Sequence, residues 1–275
     1  MALPANPSQE LSLPEIHPAA FVHPTARLGD NVIVGPQAFI DAEVTIGAGT
    51  TIGHGAHVGR WTRIGENNVI HPFAVVGHDP QDLGYRGEES WTIVGDGNII
   101  REGCTIHRGY RAGTATTIGN DNFFMVNSHV GHNCVVGNHV ILVNGALLGG
   151  HVEVEDRALV SGNCQVHQFV RIGAFALLRG GSSANKDIPP FCISDGISRL
   201  RAINVVGLRR NDFDAHRIRA VKEAFKLLFR SGLRLRQAME KIETDRNITE
   251  DVRRMLEFIR ASKRGVGSGR RSNLE

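Results

Sequence analysis

The chain has 275 residues, 41% of them hydrophobic, and a formal net charge of +3, enough for a sizeable core or for two domains. No apolar run approaches the ~18 residues of a membrane span, so no stable membrane insertion is expected. The four cysteines, Cys104, Cys134, Cys164 and Cys192, form no CxxC pair, which points to small buried core residues rather than disulfides or metal ligands.

Residues 1–18, rich in Pro and Ser, read as a flexible tail. They lack the charged-then-apolar pattern of a secretory leader, so a cytoplasmic protein is expected. From Val22 an aliphatic residue recurs at every sixth position: Leu28, Val34, Ile40, Ile46, Ile52, Val58, Ile64, Ile70 and Val76. Glycine often follows it, as at Gly29, Gly47 and Gly65, where it permits a close approach at a corner. The frame fails from Gly77 to Ile93, a polar stretch that holds Asp-Pro-Gln-Asp at 79–82 and reads as a projecting loop. It resumes at Val94, Ile100 and Ile106 and breaks again over about 108–116.

From Ile118 to Leu178 eleven hexads follow without a slip, through Phe124, Val130, Val136, Leu142, Leu148, Val154, Val160, Val166 and Ile172. This is neither the 3.6 period of a helix nor the period 2 of a strand. It fits a short strand plus a turn, with one aliphatic side chain pointing inward per strand. Such repeats make a parallel β-helix, each coil burying its apolar residues against its neighbours. The same run holds His129, His132, His151 and His167. A scaffold this regular has no packing need for histidine, which makes all four candidate site residues.

The repeat ends near Asn185, and Asp-Ile-Pro-Pro at 187–190 closes it, because proline cannot donate to a strand ladder. Beyond, the pattern turns helical. Asp212 or Asp214 can cap a helix running to Ser231, with Gly232 just past its end. A second helix fits about 234–243, and Thr249 can cap a third that ends before Gly265. The expected organisation is a tail at 1–18, a β-helix at 19–196, a helical domain at 197–265 and a disordered tail at 266–275. Charge divides along the same line. Residues 1–196 carry 11 Lys+Arg against 18 Asp+Glu, a net of −7, and residues 197–275 carry 20 against 10, a net of +10. A basic C-terminal part points to a phosphate ligand, an acidic protein or nucleic acid, with a solvated basic surface as the alternative.

Several motifs are more specific than the repeat. They are Phe-Val-His-Pro-Thr-Ala (21–26), Gln-Asp-Leu (81–83) with Gly-Glu (87–88), and Thr-Ile-His-Arg-Gly (105–109). Next come Asn-Ser-His-Val-Gly-His (127–132), Gly-Gly-His (149–151), Val-His-Gln-Phe (166–169) and Asn-Val-Val-Gly-Leu-Arg-Arg (204–210). On these the chain resembles the UDP-N-acetylglucosamine O-acyltransferases, hexapeptide-repeat enzymes, over about residues 20–265. The resemblance implies a mainly β fold: a left-handed parallel β-helix with a C-terminal α-helical domain. It implies a homotrimer with active sites between adjacent subunits. It further implies transfer of an (R)-3-hydroxyacyl chain from acyl carrier protein to the 3-hydroxyl of UDP-N-acetylglucosamine, the first step of lipid A biosynthesis. No cofactor, metal or nucleic acid is called for.

A coil of this family uses three hexads, so residue n stacks under n+18. His132 then lies beside Gly150, Gly149 beside His167, and His151 beside Asn133. By the resemblance His132 is the general base, since neutral imidazole suits that task near pH 7. Gly150 matches the backbone N–H that stabilises the oxyanion. Asp82, with Gln81 beside it, matches a contact to the glucosamine; Asn204 and Arg210 match positions near the nucleotide. For His129, His151 and His167 the functional reading is substrate binding, and the structural one is a histidine satisfied at a subunit interface. His107, at the edge of the second loop, is open between the same readings. His17, His54, His57 and His71 read as surface or subunit-seam residues. Gly180 falls on the position that ends the acyl groove, and a glycine there favours a medium-to-long chain.

Some positions depart from the pattern. Asn133 stands where an Asp follows the catalytic histidine, Gly84 where a Lys is frequent, and Val206 where a Glu is frequent. Arg179 stands beside Gly180 in place of a small residue. These leave a modified, 3-amino sugar open as acceptor. A sister N-acyltransferase carries an extra N-terminal uridine-binding domain, for which a repeat starting at Val22 leaves no room. A zinc lyase on the same fold would need three histidines at an interface, and its histidine pair is spaced by five, whereas His129 and His132 are spaced by three.

Overall fold

The computed structural model describes residues 12–244 and 248–269. Among these residues short strands stack into three sheets of 11, 9 and 8 strands; apart from the last strands of the 11-stranded sheet, all are parallel and each pairs with the one three strands further along the chain. That order is a coil with three strands per turn. In the uninterrupted part the register is the expected three hexads: Val130 pairs with Leu148 and Leu148 with Val166. Every hexad aliphatic from Val34 to Leu178 is buried. Corner turns need positive φ, and Asn67, Asn127, Asn133 and Asn163 adopt it, since asparagine tolerates the left-handed region better than most residues.

Smaller buried residues fill the coil beside the aliphatic column. Asn68, Asn98 and Asn122 form a ladder in which Asn98 Nδ2 donates to Asn68 Oδ1 (3.0 Å) and Asn122 Nδ2 to Asn98 Oδ1 (2.8 Å). All four cysteines are free and buried; burial pushes the Cys104 and Cys134 thiols up to about 12, so they pack as small apolar groups.

The two interruptions are loops at the site. The first spans 79–90, between strands Val75–His78 and Trp91–Val94; the second spans 108–114, before strand Ala115–Ile118. They lengthen the register beyond three hexads, so that Val75 pairs with Thr105 across the first loop and Thr105 with His129 across the second. Arg108 is buried and clamps the first loop. It donates to Gly77 O (3.1 Å) and Tyr85 Oη (2.8 Å) and pairs with Asp79.

The termini of the coil stack differ from the sequence expectation. Glu15–Ile16 already pairs with Ile33–Val34, so the stack begins inside the stretch read as a tail; residues 1–11 lie outside the described residues. At the other end strand Cys192–Asp195 turns back antiparallel onto Arg199–Ile203, a hairpin the sequence reading did not contain. Asp195-Gly196 at the bend was its signal. Val266 and Ser268 bridge to Asp187 and Arg199, so part of the expected disordered tail is packed; residues 270–275 lie outside the described residues.

Among the described residues four helices follow the hairpin: α1 (Val205–Arg210), α2 (Ala215–Arg230), α3 (Leu235–Glu243) and α4 (Glu250–Arg260). The short α1, capped by Asn204, is new; the other three sit where the sequence put them. Asp214 rather than Asp212 caps α2, and Thr249 caps α4. The helices are pinned to the last coils by Arg254 on Glu155 (3.1 Å), Ser262 Oγ donating to Asp187 (2.6 Å) and Arg171 over the Phe258 ring (4.2 Å). Arg217 is spent inside the domain: it binds both oxygens of Asp251 at 2.8 Å.

Candidate active site

The histidines converge at one corner of the coil, just after the strands of the nine-stranded sheet. Strand His129–Val130 ends at Gly131, and His132-Asn133 forms the turn. One coil further on, strand Leu147–Leu148 delivers Gly149, Gly150 and His151 to the same corner. The next strand, Gln165–Val166, delivers His167 and Phe169. Asn133, His151 and Phe169 stack on successive coils and all have positive φ (60°, 59° and 64°). They share this with corner residues throughout the coil, such as Trp61, Phe73 and Arg157.

His132 is half-buried and sits directly over Gly150. A Cβ at 150 would lie 2.6 Å from its Nε2, so only glycine fits beneath this imidazole. His132 Nδ1 is 3.0 Å from Asn133 Oδ1, and the same oxygen accepts the Tyr110 backbone N–H at 2.8 Å. An amide atom that accepts from a peptide N–H is the carbonyl oxygen. Nδ1 must therefore donate to it, which leaves Nε2 with its lone pair free. The Gly150 N–H, beside that ring, donates to no acceptor among the described residues. A base and a free donor thus face one space.

Other rings surround His132. His151 meets it edge-on at 5.1 Å and stacks on Phe169 at 4.7 Å; the Tyr110 ring lies 5.5 Å from His132, tilted by 47°. His129 Nδ1 is 2.8 Å from Thr105 Oγ1, and its ring meets His107 edge-on at 4.9 Å. Burial, then the neighbouring His132, lowers the pKa of both His129 and His151. Burial and the surrounding His129, His78, His132 and Arg108 push His107 down to about 4. These neighbours stay neutral near pH 7, so positive charge does not accumulate around the base.

The remaining predicted residues are spread out. His167 is exposed, with Nδ1 3.1 Å from Gln168 O. Asp82 and Gln81 lie on the exposed 79–90 loop, where Asp82 Oδ1 accepts the Gly84 N–H at 2.7 Å. That loop reaches the site through Gly84, which lies against the Tyr110 hydroxyl. Gly180 is exposed at a different corner, following the 11-stranded sheet, where an added Cβ would meet only Gly162 O, at 3.6 Å, among the described residues outside its chain neighbours. Asn204 is buried beyond the coils. Its Oδ1 accepts the Gly207 N–H (3.0 Å) and its Nδ2 donates to Phe175 O (2.9 Å), so it holds α1 in place. Arg210 is exposed at the end of α1. His132, Gly150 and His151 are in contact, and Asp82 joins them through its loop; Gly180, Asn204 and Arg210 stand elsewhere on the chain. Tyr110 was missed by sequence reasoning, because nothing in the second interruption marks it before the loop is folded. Among the described residues no three His, Cys, Asp or Glu side chains converge as metal ligands would. No helix among them is long and apolar enough to cross a membrane.

Comparison with known proteins bears on the family and the fold. Residues 187–267 match the family model for domain 2 of UDP-N-acetylglucosamine O-acyltransferase, and residues 43–78 and 115–150 match the bacterial transferase hexapeptide repeat. The acyl-[acyl-carrier-protein]–UDP-N-acetylglucosamine O-acyltransferase of Halorhodospira halophila is 45% identical over 207 residues, 74% of this chain and 80% of that one. The UDP-N-acetylglucosamine acyltransferase structure from Francisella novicida is 36% identical, with a TM-score of 0.88 over 92% of this chain and 94% of that one. The one from Campylobacter jejuni is also 36% identical, with a TM-score of 0.87 over 93% of this chain and 100% of that one. The fold is the left-handed parallel β-helix with C-terminal helices that the resemblance implies.

Proposed function

The chain belongs to the acyl-[acyl-carrier-protein]–UDP-N-acetylglucosamine O-acyltransferase family, and on that premise we propose that it acylates the glucosamine 3-hydroxyl of UDP-N-acetylglucosamine with His132 as general base. The acyl group is an (R)-3-hydroxyacyl chain carried as a thioester on acyl carrier protein, and the reaction is the first step of lipid A biosynthesis. An alcohol is a poor nucleophile until its proton is taken. His132 Nε2 takes that proton as the oxygen attacks the thioester carbonyl. The Gly150 N–H receives the resulting oxyanion. The C–S bond then breaks and the imidazolium returns its proton to the departing thiolate. Asn133 keeps the imidazole in the tautomer that can start this sequence. As a neutral amide it orients the ring without adding a charge to offset imidazolium.

The observation that carries the reading is His132 Nε2 lying free over a side-chain-less Gly150 with an unused N–H. Asp82 binds the glucosamine, with Gln81 beside it, and His129, His151 and His167 line the substrate path. Arg210 meets the diphosphate, presented by the α1 turn that Asn204 caps. Gly180 ends the acyl groove, which Gly162 one coil below leaves open. Because Gly180, Asn204 and Arg210 stand apart from His132 on one chain, this reading is that of a homotrimer whose sites form between subunits. The exposed basic residues of α2, Lys222 and Lys226 among them, would receive the acidic carrier protein in the cytoplasm.

The test offers purified protein UDP-N-acetylglucosamine, its 3-amino analogue and a series of 3-hydroxyacyl carrier proteins, with products read by mass. The expected product is the 3-O-acyl nucleotide sugar, and His132→Ala should lower its rate by ~10²–10⁴. Preference for the 3-amino analogue would change the acceptor, and a His132→Ala rate within threefold of the wild type would remove His132 from its role.

A further inference from the structure

We propose that Tyr110 is a further substrate-contacting residue, whose phenol hydroxyl pairs with the Asp82 carboxylate to hold the hydroxyl groups of the acceptor sugar. The inference rests on the reading of His132 and Asp82 as the acceptor site. Three contacts fix Tyr110. Its backbone N–H donates to Asn133 Oδ1 at 2.8 Å, the oxygen that also orients His132. Its ring lies 5.5 Å from the His132 imidazole at an interplanar angle of 47°. On its outer side the Arg111 guanidinium covers the ring at 5.0 Å. Between these anchors the side chain has little freedom, and its hydroxyl is aimed at the 79–90 loop.

There it meets Gly84. Any side chain at 84 would occupy the place of the Tyr110 hydroxyl, and Asp82 Oδ1 borders the same space, 3.2 Å from where that Cβ would stand. The Gly84 departure thus has a cause in the fold: the phenol fills the volume that a longer residue would use. The hydroxyl has no hydrogen-bond partner among the described residues, and Asp82 Oδ2 has none either. A phenol that can donate and a carboxylate that can only accept stand side by side at the edge of the His132 pocket. Neighbouring hydroxyls of a pyranose, each both donor and acceptor, complement that pair. The Asp82 carboxylate repels anions, so the pair fits neutral hydroxyls rather than a phosphate or carboxylate, and that assigns it to the sugar and not to the diphosphate.

The experiment measures KM and kcat for both substrates with Tyr110→Phe, Gly84→Lys, Gly84→Lys/Tyr110→Ala and His132→Ala. Tyr110→Phe keeps the ring and the fold and removes one neutral hydrogen bond. It should raise KM for UDP-N-acetylglucosamine by about 3- to 10-fold while KM for the acyl carrier protein and kcat stay within twofold. A merely structural tyrosine would not split the constants in this way. Gly84→Lys should be impaired in both stability and sugar KM because lysine and phenol compete for one space, and adding Tyr110→Ala should restore stability while sugar KM stays raised, since the phenol contact is still missing. An unchanged sugar KM in Tyr110→Phe, with His132→Ala inactive, overturns the Tyr110 assignment alone. Equal stability of Gly84→Lys with and without Tyr110→Ala overturns it as well. An active His132→Ala overturns the site reading and this inference with it.

Discussion

Gly150→Ala tests the catalytic geometry with a single methyl group. The new Cβ would stand 2.6 Å from His132 Nε2 and 2.7 Å from Cε1. Carbon needs about 3.5 Å to such atoms, so the imidazole must move by ~0.9 Å. Gly150 does not have positive φ, so alanine adds no backbone strain there, and the half-buried ring can swing aside without disturbing the core. The peptide N–H also survives. Any loss therefore reports the displaced base and not a missing oxyanion donor. A displacement near 1 Å costs on the order of 10²-fold in rate. The assay is steady-state acyl transfer at saturating acyl carrier protein and nucleotide sugar, with thermal unfolding alongside. The expected result is kcat lower by about 10²-fold with Tm shifted by no more than about 2 °C. A folded variant with kcat within threefold of the wild type would refute the placement of the base over Gly150.

Three more expectations follow from named residues. His107 is buried and its pKa is pushed from 6.5 down to about 4, so between those pH values the unfolded chain binds the extra proton. Stability should then fall as pH drops from 6.5 towards 4, by about 3 kcal/mol from this residue at most, with His129 and His151 acting in the same direction; urea unfolding at pH 7 and pH 5 measures it, and an equal pH dependence in His107→Asn would count against it. Gly180→Met should favour shorter acyl chains, each excluded methylene being worth ~0.8 kcal/mol; a uniform rate loss across chain lengths would remove Gly180 from the groove end. Reversing Lys222 and Lys226 to Glu should raise KM for the acyl carrier protein and reduce its salt dependence; if both stay unaltered, the carrier docks elsewhere. Arg217 does not belong in that test, because it is already paired with Asp251.

The six-residue period was enough to specify the coil, since it repeats a local backbone choice: two extended residues, then a turn. The three hexads per coil came from the resemblance; given that number, an uninterrupted stack leaves no freedom of register and brings Gly150 under His132. The caps at Asp214 and Thr249 were legible for the same local reason. Folding decided what lies between distant segments. The loops at 79–90 and 108–114 break the period, so no spacing rule predicts that Tyr110 meets Gly84. Asn204 reads as a ligand from its motif, yet its amide is taken up by the Gly207 N–H and Phe175 O. Arg217, one of the cations behind the +10 of the C-terminal part, is claimed by Asp251, on a helix much further along the chain. Such partners depend on how loops and helices pack against the coil, and packing energy is set by contacts far apart in the chain rather than by the order of residues along it.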